Sequence, residues 1–179
     1  DFSYYVESDD TGGDDGGGVT GACDLPTNSI YLDGAIYVTN QQDGSQDLKD
    51  DLVHEISHAV EDNYKQFIYG DGLIENEYFG KLKRLKSLLA HEGYDTNSVN
   101  FFNTDLNKEF DEFLYKEVGY GPLRVLTDGL FLAPYSATSL QEYWARGFEE
   151  YYLGERVYLK TLCPYIYNKL QLLESSGED

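Results

Sequence analysis

The chain is short of positive charge: 13 lysines and arginines stand against 33 aspartates and glutamates among 179 residues, a formal charge of −20. A surface this acidic repels phosphate backbones and anionic headgroups, which argues against nucleic acid or an anionic membrane as partner. Long apolar runs are also missing, and nothing approaches the roughly 18 residues of a membrane-spanning helix. There is no methionine and no signal-like start, so the chain is expected to be a mature or excised segment, and a secreted, bacterial-type protein. Cysteine is scarce. Cys23 and Cys163 are too few for a disulfide framework and too distant for a CxxC motif, which leaves either one bridge or two thiols.

Aromatic residues, by contrast, are plentiful, with 17 tyrosines and nine phenylalanines in a chain that is 41% apolar. That composition suits one globular domain over residues 1–179, expected as a monomer. Phe2, Tyr4 and Val6 alternate as in a strand. Residues 8–18 are glycine and aspartate with Ser8 and Thr11, have no apolar side chain to bury, and read as a mobile acidic loop. They lack the spacing and the closing glutamate of a calcium-binding EF-hand. Ile30–Leu32 and Ala35–Val38 are β-prone runs around Asp33-Gly34, either a hairpin turn or a bulge in one strand.

From Ser45 the period changes. Leu48, Leu52, Ile56, Ala59 and Val60 recur every three or four residues behind a serine cap, which predicts a helix of about five turns. A second helix is expected near 73–92, a third behind Thr104, a loop across the Gly/Pro-rich 119–138, a fourth helix from Ser139 to Tyr152 and a last one over 155–173. Pro164 must start or kink that last helix, and 174–179 should fray. The fold class these elements suggest is α+β: a small twisted β-sheet packed on the first long helix, then a mainly helical C-terminal half.

The first long helix carries His54-Glu55-Ile56-Ser57-His58. Residues four apart on a helix differ by about 40° around its axis, so both imidazoles face one side and can converge on one ion. Glu55 points beside that ion, where a carboxylate can take a proton from a water at the metal. The bland reading is a solvated face of Asp51, His54, Glu55, His58, Glu61 and Asp62.

A catalytic zinc ion needs a third protein ligand and an open fourth position. Extension to HExxHxxGxxH fails, because Glu61 and Tyr64 occupy the glycine and histidine positions. His91 sits near a helix end. Glu142 lies on the aromatic-rich fourth helix, with Glu149 and Glu150 also eligible, but Ser139-Leu140-Gln141-Glu142 equally spells a capping box.

At three places the chain resembles the anthrax lethal factor catalytic domain and its smaller relatives, the clostridial Pro-Pro endopeptidases, which are gluzincin-type HExxH enzymes. These are His54–Asp62, Tyr135 seven residues ahead of Glu142, and Glu142–Leu153 followed by Leu159–Pro164. The resemblance covers about residues 28–66 and 106–173, with 70–105 as an insertion. It implies that His54, His58 and Glu142 bind one Zn2+ per chain, that Glu55 is the general base, and that Tyr135 hydrogen-bonds the oxyanion. It implies a sheet-edge strand over the cleft, along which a protein or peptide substrate, basic if charge steers it, would lie extended.

The chain departs from the family at Arg146, where an acid usually holds a ligand histidine; Glu149 is the candidate replacement, one shell behind the metal. Its single tryptophan is Trp144 on the late helix, and Gln141 precedes Glu142, so Pro-Pro specificity is not expected to carry over. The expected activity is zinc-dependent endopeptidase. The alternative is a catalytically weak or inactive zinc-bearing peptide-binding module, or a toxin or effector domain.

Overall fold

The computed structural model describes residues 3–7, 29–32, 35–39 and 45–176, with side chains from Leu48 to Ser176 and at Ile36. The expected acidic loop 8–18, the Asp33-Gly34 turn and Cys23 lie outside the described residues, so the cysteine pairing is not addressed; Cys163 is a buried thiol, whose pKa burial pushes up to about 11.

The expected α+β class is corrected. Residues 45–176 are about three quarters helical and contain no strand. Upstream of them, short extended backbone runs, Ser3–Glu7, Ser29–Leu32 and Ala35–Thr39, pair with one another, and Ile36 among them is buried. Among the residues whose side chains are described, the apolar cluster and the apolar residues packed on it run from Val53 onward. The described core is filled by long amphipathic helices rather than by runs of four or five residues. The expected sheet edge above the cleft falls with the class.

Seven α-helices make up that body: α1 Ser45–Tyr69, α2 Leu73–His91, α3 Lys108–Glu112, α4 Tyr120–Thr127, α5 Leu140–Leu153, α6 Arg156–Leu162 and α7 Pro164–Ser176. None of the described helices is long and apolar enough to cross a membrane. The segment expected as an insertion supplies α2, whose Ile74, Tyr78, Leu82, Leu85 and Leu89 are fully buried. Residues 119–138 are not the loop expected. Gly119, at φ 78°, closes a π-helical turn (Phe113–Val118), and Tyr120 then opens α4. Pro122 falls in the first turn of α4, where its missing N–H removes no helical bond. Asn107 caps α3 in place of Thr104, accepting from the backbone of Glu109 and Phe110. Pro164 starts α7, and that helix continues to Ser176 through part of the expected fray.

Two helices position the site. α5 is buried through Tyr143, Trp144, Gly147, Phe148 and Tyr151, and each flank is tied by a polar bond. On one side the Trp144 indole N–H donates to the Ser57 carbonyl of α1, 3.2 Å away. On the other the Tyr143 hydroxyl donates to Glu77 of α2 at 2.7 Å. Buried donors that find partners in this way fix the rotation of α5 as well as its distance from α1.

Candidate metal centre

Ser139 starts α5 by accepting the Glu142 backbone N–H at 3.1 Å. The Glu142 side chain does not serve the cap: its Oε2 lies 3.4 Å from His54 Nε2 and its Oε1 3.8 Å from His58 Nε2. The two Nε2 atoms are 3.2 Å apart, so the spacing read on one helix and the carboxylate read on another meet at one point. The three side chains form a group able to hold a metal ion, their ligand atoms all within 4.8 Å of one another.

Both histidines are held from behind. The Glu149 carboxylate only accepts, so His54 Nδ1 carries the proton it donates to Glu149 Oε1 at 2.6 Å. His58 Nδ1 faces Glu61 Oε2 at 3.5 Å, and Glu61 Oε1 receives the Tyr69 hydroxyl at 2.8 Å. Arg146 in turn donates to Glu149 Oε2. With its proton on Nδ1, His54 turns its Nε2 lone pair to the Glu142 carboxylate, and His58 does the same in the tautomer that places its proton toward Glu61. Three acceptors that meet repel one another unless something positive lies among them.

A proton supplies that charge when no metal is bound. Burial opposes a charge on His54, yet the hydrogen bond to Glu149 and the charges of Glu142, Glu149 and Glu55 outweigh it and raise its pKa to about 9. Burial likewise raises Glu142 above the usual carboxylate range, against the pull of His54 and His58. One proton bridges one pair of atoms, and Glu142 Oε2 is left buried without a hydrogen bond. An ion would reach all three. Ligand bonds of about 2.0–2.1 Å in a tetrahedral zinc site place ligand atoms about 3.3–3.4 Å apart, against 3.2 and 3.4 Å for the two pairs made by His54 Nε2.

No protein-family model, curated protein or solved structure matches this chain. The site's own geometry therefore carries the functional reading.

Of the other residues singled out in the sequence, Glu55 is buried, and its charge acts on both His54 and Glu142. Tyr135 is half-buried in the turn Pro134–Ala137 that leads into α5, and the Tyr78 hydroxyl anchors that turn through the Ala137 carbonyl at 2.9 Å. His91 is exposed beside Glu92 at the end of α2. Glu150 accepts the Glu155 backbone N–H at 2.8 Å, at the other end of α5. The solvated-face alternative does not describe this surface, since Glu55 and Glu61 are both buried. Glu61 and Tyr69 were not among the expected site residues. The i, i+3 spacing of Glu61 from His58 was the available signal, whereas Tyr69 lies beyond the non-helical Tyr64 that bends α1.

Proposed function

We propose that this chain is a zinc-dependent endopeptidase. The observation that carries the reading is the convergence of His54 Nε2, His58 Nε2 and a Glu142 carboxylate oxygen left without a hydrogen bond, all within 4.8 Å of one another, with the two separations made by His54 Nε2 close to those around a tetrahedral zinc ion. Two imidazoles and one carboxylate are the ligand set of hydrolytic zinc sites, which keep a fourth position open. Bound there, zinc would make a water nucleophilic near neutral pH and polarise the scissile carbonyl.

The protein's own groups do the rest. Glu55, buried and adjacent to His54, takes a proton from the attacking water and returns it to the leaving amine. Tyr135 donates its hydroxyl to the oxyanion of the tetrahedral intermediate, a role drawn from the lethal factor resemblance. The substrate is a protein or peptide; with a chain charge of −20, basic residues near the cleaved bond would favour encounter.

The test is zinc analysis together with cleavage of a peptide library. The expected result is close to one zinc per chain and a defined cleavage preference, with cleavage abolished in Glu55→Ala while zinc is retained. Zinc bound at that stoichiometry with no cleavage of any peptide would favour a binding module instead. Absence of zinc would remove both readings.

A further inference from the structure

We propose that Arg146 is a positioning residue of the metal centre, acting through Glu149 to hold His54; the inference rests on the zinc reading above. Arg146 stands one turn beyond Glu142 on α5 and three residues before Glu149. Its NH1 group donates to Glu149 Oε2, and the other carboxylate oxygen receives His54 Nδ1–H at 2.6 Å. The carboxylate is thus divided between two donors. Turning it would disturb both bonds together, so the guanidinium sets the plane in which the imidazole is held. That hydrogen bond also fixes which ring nitrogen carries the proton, leaving the Nε2 lone pair for the ion.

Two further features separate this from an incidental surface pair. The Arg146 side chain is 41% exposed, so water is within reach, yet its Nε is buried without a hydrogen-bond partner. An arginine with no task at Glu149 would turn outward and satisfy that donor. Arg146 also brings a positive charge to Glu149, one of the carboxylates that surround the imidazoles. Without it, Glu149 is free to rotate away from His54.

The experiment compares native protein with Arg146→Ala and Arg146→Lys. Zinc affinity is read by competition with a chromophoric chelator at fixed pH, ligand geometry by the visible absorption of the Co2+-substituted proteins, and fold by thermal melting of the metal-free forms. The expected result is zinc binding weakened about 10–100-fold in Arg146→Ala, an altered Co2+ spectrum and unchanged metal-free melting. Arg146→Lys should recover most of the affinity, because a single N–H donor makes the contact. Native-like or tighter zinc binding by Arg146→Ala would overturn the proposal. So would a fall in metal-free melting with no recovery by Arg146→Lys, which would make Arg146 a stability residue. If native protein bound no zinc, the underlying metal reading would fail first, and the two failures are distinguishable.

Discussion

His54 of α1 and Glu149 of α5, 95 residues apart in sequence, are joined by a 2.6 Å hydrogen bond from the imidazole Nδ1 to the carboxylate. His58 faces Glu61 at a longer 3.5 Å. The shorter contact should matter more to the metal. Glu149→Gln is expected to weaken zinc about tenfold or more, and Glu61→Gln by less. Chelator competition on the two variants checks the order, and a larger loss in Glu61→Gln would contradict it.

The protonation of His54 gives the site a pH dependence of known sign. Its pKa in the folded, metal-free protein is raised from 6.5 to about 9. Its contribution to metal-free stability is therefore complete below about pH 6.5 and lost as pH rises through about 9. Metal must displace that proton, so zinc affinity should increase with pH across the same window. Calorimetry at pH 7 in buffers of different ionisation enthalpy should detect release of about one proton on zinc binding. A heat independent of buffer would refute this.

Tyr135 offers a test of chemistry separate from metal binding. Tyr135→Phe keeps the ring that packs in the turn Pro134–Ala137 and removes only the hydroxyl. It should lower kcat about 10²–10³-fold, leaving KM and zinc content near native. Steady-state kinetics on the best peptide from the library would show this, and unchanged kcat would remove Tyr135 from the mechanism.

Gly147 lies between Glu142 and Glu149 on α5, where the helix packs on α7. A methyl group there would approach Ile166 Cγ2 to 2.6 Å and Cδ1 to 2.9 Å, and the β-branched isoleucine has few rotamers with which to yield. Gly147→Ala should destabilise the metal-free protein by about 1–3 kcal/mol despite the better helix propensity of alanine. Denaturant unfolding measures it, and a stabilised variant would show that Ile166 relocates freely.

Much of the local structure could be read directly. The Ser139 cap of α5 and the extent of α2 follow from side chains and periodicity within a few residues of one another. The misreadings have the same local origin. Thr104 and Asn107 are both competent caps, but Leu140 donates to the Thr104 carbonyl at 2.8 Å, a contact from a distant helix. Glycine and proline at 119–122 read as loop, although Gly119 is the stop of one helical segment and Pro122 belongs to the first turn of the next. The β-prone runs at 30–38 suggested a sheet class, but the apolar cluster of the described residues is built from helices and the turns between them.

What the sequence determined alone is the facing pair His54 and His58 with Glu55 beside them, because an i, i+4 spacing on a helix is a matter of backbone geometry. It also marked Glu142 and Glu149 as eligible. Only the tertiary structure decided that Glu142 turns from its cap toward both imidazoles, that Glu149 stands behind His54 with Arg146 holding it, and that Glu61 and Tyr69 serve His58. Those assignments depend on how far α5 is rotated against α1, and the buried bonds of Trp144 to Ser57 and Tyr143 to Glu77 set that rotation through packing between residues far apart in the chain.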